Sequence, residues 1–140
     1  MRLQKCSNIK IYGDLNYRGD CPQEALEQVT FFNRIRKQHP ETLGVIALHP
    51  RNEGRRHHSQ VSREKSEGMT TGASDIIIPG CPAFVCELKR RDHTKSTITD
   101  DQLNYLRAAQ AAGAFACIAL GADAATAALN EWINQQRNER

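Results

Sequence analysis

The 140-residue chain has no apolar run long enough to cross a bilayer. Its longest apolar stretch, around Ala114–Leu120, falls far short of the roughly 18 residues a spanning helix needs. Residues Met1 to Asn8 lack the apolar core of a signal peptide, and a cytoplasmic location is expected. Five cysteines, an odd count with no CxxC pair, argue against a disulfide framework and a zinc ribbon. His57 and His58 stand at no ligand spacing from any cysteine, so zinc is not expected either. A phosphate loop, a GxGxxG turn and a nucleophile elbow are all missing. Aromatic residues make up only 6%, and there are no repeats or low-complexity tracts.

What is present fits one domain with its own core. A chain of this size buries roughly 68–70% of the surface it would expose unfolded. Nineteen Lys+Arg against sixteen Asp+Glu leave a net charge of +3, too weak to identify a nucleic-acid binder by itself. Position has to decide.

Residues 1–22 read as an irregular N-terminal arm with a short strand at Ile9–Tyr12, and residues 23–140 as a single domain. A helix is predicted over Glu24–Lys37, stopped by His39-Pro40. Gly44–His49 has strand length and apolar content. Pro50–Gly72 is a long polar loop with one helix at Ser59–Glu67. Strands follow at Asp75–Pro79 and Ala83–Leu88, then a basic, hydroxyl-rich loop over Lys89–Thr99. Asp100–Ala112 is a helix, Phe115–Leu120 a strand and Asp123–Gln136 a closing helix. The order α-β-β-β-α-β-α describes an α/β sandwich.

Charged residues stand where apolar ones are expected. Asp75 opens a strand of isoleucines, and Glu87 and Lys89 share one face of the next strand. Such groups are costly in a core unless paired or metal-bound. A three-residue loop over 80–82 pairs residue 79 with 83 and sets Asp75 opposite Glu87, with Cβ atoms about 4.5–5.5 Å apart. A two- or four-residue loop would put them on opposite faces. Two carboxylates that close repel unless a cation lies between them, and Mg²⁺ accepts such a pair. Lys89 would then favour charge development on a phosphate.

At 3.6 residues per turn, Glu24 and Gln28 fall inside the apolar arc of the first helix, with Ala25 and Val29. Glu27 falls outside it and is expected in solvent. Glu24 reads either as a buried carboxylate seeking a partner or as a favourable first-turn acid. Gln102 and Tyr105 share a helix face that can point to the hairpin, while Thr99-x-x-Gln102 also matches a capping box. The run Lys89–Lys95 carries four Lys/Arg and one Asp, and Arg51, Arg55, Arg56, Arg63 and Lys65 cluster on the hairpin's other flank. Both stretches suit a polyanion, and either alone is also an ordinary solvated face.

These residues together resemble a VRR-NUC domain of the PD-(D/E)XK nuclease superfamily. The resemblance rests on Glu24-x3-Gln28, Asn52-Glu-Gly54-Arg55, Glu67-Gly68-Met-Thr-Thr-Gly72-Ala-Ser-Asp75, Glu87-Leu-Lys89 and Thr99-x2-Gln102-x2-Tyr105. It runs from about Gln23 to Trp132. One departure is Ser74, where the superfamily pattern has proline. The resemblance implies a mixed β-sheet flanked by helices, a restriction-endonuclease-like core of order α-β-β-β-α-β. It further implies phosphodiester hydrolysis dependent on Mg²⁺ or Mn²⁺, with Glu24, Asp75 and Glu87 as metal residues. Lys89 and Gln102 would be catalytic. Arg51, Arg55, Arg56, Arg90, Arg91, Lys95 and Tyr105 would contact DNA. Small stand-alone members are bacterial or phage-like and similar to dimeric nucleases of branched DNA, including Holliday-junction resolvases. A structure-specific homodimeric endonuclease is therefore expected. Its rivals are a nuclease of ordinary duplex or DNA ends, and a non-catalytic DNA-binding module.

Overall fold

Strand-length apolar runs and amphipathic helices alternate along the chain, and the computed structural model, which describes residues 1–50 and 58–138, assembles them around one sheet. The strands are β1 (Lys10–Tyr12), β2 (Ile76–Ile78), β3 (Phe84–Lys89) and β4 (Phe115–Leu120). The helices are α1 (Glu24–Gln38), α2 (Leu43–Ile46), α3 (His58–Ser66), α4 (Asp100–Ala111) and α5 (Ala122–Asn138). The sheet is mixed, in the order β1-β4-β3-β2. β2 and β3 form an antiparallel hairpin, whereas β4 runs parallel to both β3 and β1. No helix among the described residues is long and apolar enough to cross a membrane.

Strand alternation divides the core in two. Phe84, Cys86 and Leu88 of β3 join Ile76 and Ile78 against Phe31, Ile35, Leu129 and Trp132 of α1 and α5. Val85, Ile118 and Leu120 face the other way, toward Leu103 and Leu106 of α4. Glu87 and Lys89 have the parity of Val85, so the pleat aims them at the α4 side.

Two sequence expectations change. Gly44–His49 is not a strand: Leu43–Ile46 closes a helical turn, and only Leu48 bridges Ile77 at the sheet edge, through paired 2.9 Å hydrogen bonds. Glycine decides this, because a Cβ at Gly44 would stand 2.6 Å from the His39 carbonyl oxygen. The turn can press against the end of α1 only without a side chain there, and Val45 is left 68% exposed. The N-terminal stretch carries its expected strand, which pairs with β4 and is tied to α5 where Tyr12 and Lys10 bond Glu131.

Glu27 is the second change. It is buried, not solvated, while Ala25 and Val29 of the expected apolar arc are exposed. α5 begins against α1, and its first amide needs an acceptor. Glu27 Oε2 accepts the Ala122 N–H at 2.7 Å, at the helix end where negative charge is favoured. Nearby, Arg34 reaches Asp123 at 3.1 Å and Thr126 at 2.8 Å. The buried arc of α1 is thus rotated toward α5. Glu27→Ala strands that amide and is expected to cost about 1–3 kcal/mol in urea denaturation. A loss below about 0.5 kcal/mol, the range of ordinary surface changes, would contradict the capping role.

Candidate active site

The hairpin register sets the site. Ile76 pairs with Cys86, Ile77 with Val85 and Ile78 with Phe84. Carried one residue further, the same register sets Asp75 opposite Glu87, as the three-residue loop predicts. Trp132, buried in α5, holds the hairpin loop by donating its indole N–H to the Pro82 carbonyl at 2.9 Å. At the other end, the Asp75 carboxylate accepts the Leu88 N–H at 2.8 Å, and the His49 ring meets the Asp75 carbonyl at 2.8 Å.

Glu87 and Lys89 are 1% and 2% exposed, so their charges sit out of water. Lys89 Nζ lies 3.6 Å from Glu87 Oε1, 4.0 Å from Glu24 Oε1 and 3.1 Å from Gln102 Oε1. The second Glu87 oxygen, Oε2, is buried without a hydrogen-bond partner. Burial first, and the facing Asp75 carboxylate next, push the Glu87 carboxyl well above the ordinary range; Lys89 pulls it back only in part. Two facing carboxylates, one with an oxygen that no N–H donor reaches, could hold a hard cation. Among the described residues no set of three or more acidic, histidine or cysteine side chains gathers at metal-binding distance. Any bound cation would take its remaining positions from water or substrate.

Gln102 both caps α4 and points to the hairpin. Its side-chain oxygen accepts the Thr99 N–H at 2.9 Å, and Thr99 Oγ1 accepts the Gln102 N–H at 3.1 Å, a complete capping box. The same oxygen accepts from Lys89, so the first turn of α4 fixes where the lysine points. Gly72 brings the chain into this corner at φ +78°, where a Cβ would stand 2.4 Å from the Asp101 backbone. A cleft of about 440 Å³ opens there between α3 and α4, lined by Lys65, Met69, Gly72, Asp75, Asp101 and Gln102.

Ser96 is a site residue that sequence reasoning missed. Its hydroxyl donates to Glu24 Oε1 at 2.8 Å and accepts the Arg90 N–H at 2.9 Å, fixing the Glu24 carboxylate beside Lys89. A lone serine in a basic loop carries no spacing signal. Glu24 therefore faces the lysine and Ser96.

The expected DNA contacts divide. Arg90 is half-buried and Arg91 and Lys95 are exposed, and each holds residues 17–22 of the N-terminal stretch. Tyr105 is half-buried, lining a second cleft with Met69 and Ile77 beside the first. Arg51, Arg55 and Arg56 lie outside the described residues.

No protein-family model matches the sequence, and no curated protein does. Among solved structures, a "VRR_NUC domain protein" superposes with a TM-score of 0.64 at 19% identity, over 84% of this chain and 92% of that one. The fold described above, a four-stranded mixed sheet with helices on both faces, is the VRR-NUC domain fold.

Proposed function

We propose that this chain is a metal-dependent endodeoxyribonuclease. The observation that carries the reading is the half-buried Asp75 facing the buried Glu87 and Lys89 on one sheet face, with a Glu87 oxygen that no N–H donor reaches. A structural ion pair would not explain that oxygen, because buried carboxylates ordinarily have every strong acceptor site filled. The fold shared with a VRR_NUC domain protein supports the same assignment.

Asp75 and Glu87 would hold Mg²⁺ or Mn²⁺. Bound there, the cation supplies Lewis-acid stabilisation of a phosphoryl oxygen. Lys89, held by Gln102 and Glu24, places a fixed ammonium where negative charge grows on the phosphate. Because it is desolvated and pre-oriented, its charge is worth more than that of a mobile surface lysine. Arg51, Arg55, Arg56 and Tyr105 belong to this proposal as DNA contacts. A preference for branched DNA, a homodimer with two active sites and a cytoplasmic setting complete the reading. The sequence resemblance, rather than the geometry, carries those last three.

Linear duplex, flap, splayed-arm and four-way DNA incubated with Mg²⁺, Mn²⁺ or EDTA test the reading. Cleavage is expected with either metal and none with EDTA, fastest on branched substrates. Glu87→Gln and Lys89→Met should each lower the rate at least on the order of 100-fold while circular dichroism stays native. Metal-independent cutting, or full activity in either variant, would sink the mechanism.

Glu87 also gives the metal-free protein a pH signature. Its carboxyl binds a proton more readily folded than unfolded, where its ordinary value is 4.5. The stabilisation is fully present below that value and disappears as pH rises through the folded pKa. Thermal stability in EDTA should therefore fall with rising pH above 4.5, and Glu87→Gln should flatten the slope. Parallel curves for the two proteins would contradict the burial argument.

A further inference from the structure

The run Lys89–Lys95 holds much of the chain's basic excess, yet Arg90, half-buried, and Arg91 and Lys95, both exposed, each engage residues 17–22. Arg90 Nη2 donates to the Cys21 carbonyl at 2.6 Å and Nε to the Pro22 carbonyl at 3.1 Å. Lys95 Nζ donates to the Gly19 carbonyl at 2.8 Å, and the Gly19 N–H returns to Asp92 at 3.0 Å. The Arg91 guanidinium covers the Tyr17 ring at 4.2 Å. Asp92 is further fixed by the Thr94 amide and hydroxyl at 3.0 and 2.6 Å.

The contacts of Arg90, Arg91 and Lys95 and the Gly19–Asp92 bond all end on residues 17–22, which lead within two positions into Glu24, the first residue of α1. The α1 N-cap, Gln23, makes no side-chain cap of its own. Without an outside hold, the first turn of a helix frays. Arg90 supplies that hold from the residue next to Lys89, and its backbone N–H also fixes the Ser96 hydroxyl that meets Glu24.

We infer that residues 90–95 form an internal clasp on the start of α1, with Arg90 a positioning residue that sets Glu24 against Lys89, and that they are not a phosphate-binding track. The inference builds on the nuclease reading only for its effect on cleavage. The clasp itself is judged separately. Phosphate contact would fall instead to the cleft under α3, which Lys65 lines together with Asp75 and Gln102.

Three readouts on Arg90→Ala, Arg90→Lys, Tyr17→Ala and Lys65→Ala decide it. Amide exchange over residues 17–26 should rise in the two Arg90 variants and in Tyr17→Ala, which removes no charge. Single-turnover cleavage should fall about 10–100-fold in the same three, as expected when a neighbouring group is displaced. Arg90→Lys should not rescue, because it keeps the charge without the two-pronged fork. The slope of log Kd against log salt for DNA should be unchanged by them and reduced by about 1 in Lys65→Ala. Native exchange together with a slope reduced by about 1 in Arg90→Ala would overturn the clasp and make Arg90 a phosphate contact. Wild-type protein that cuts no DNA would defeat the nuclease reading, while the exchange data would still support or refute the clasp.

Discussion

A lysine ammonium buried beneath a helix among carboxylates is the constraint on which the rest of this structure depends. Lys89 is held out of water beside Glu87, Glu24 and Gln102, and removing any partner leaves a charge that the site cannot solvate. Such a cluster is a poor way to gain stability, since well-packed apolar residues would serve at least as well. Its presence on a strand of otherwise apolar residues is better matched to chemistry than to stability.

Each element around the cluster fixes one of its members. The β2–β3 register brings Asp75 across from Glu87, and Trp132 seats the loop that sets this register. The capping box of α4 aims Gln102 at the lysine. α1 presents Glu24 at one end, while one turn later Glu27 closes the start of α5. A single helix thus serves the site with one carboxylate and the core with the next. The rotation of α1 that buries Glu27 follows from meeting two neighbours, a sheet and a helix end.

Much of the site was legible because strands are simple to count along. Parity and a three-residue loop suffice to bring Asp75 opposite Glu87 and Lys89 onto the same face, and β4 follows its predicted limits. Gln102 was visible twice over, as a cap and on a face turned to the hairpin, and both placements hold at once. What was not legible depends on tertiary neighbours. Glu27 looks solvated until α5 arrives, Gly44–His49 looks like a strand until Gly44 meets the end of α1, and Ser96 has no periodicity to betray it. The contacts of the basic loop depend on neighbours in the same way. Composition counts its charges, but only the fold reveals that carbonyls of residues 19–22 receive the hydrogen bonds of Arg90 and Lys95.

The central claim is that Asp75 and Glu87 together form a cation site. Calorimetric titration of Mn²⁺ into the metal-free protein, repeated in buffers of different ionisation enthalpy, tests it most directly. Binding should release protons, because the buried Glu87 carboxyl must ionise to accept the ion, and Asp75→Asn or Glu87→Gln should abolish it. Mn²⁺ binding that survives both substitutions, or no binding to the wild-type chain with and without DNA, would contradict the account.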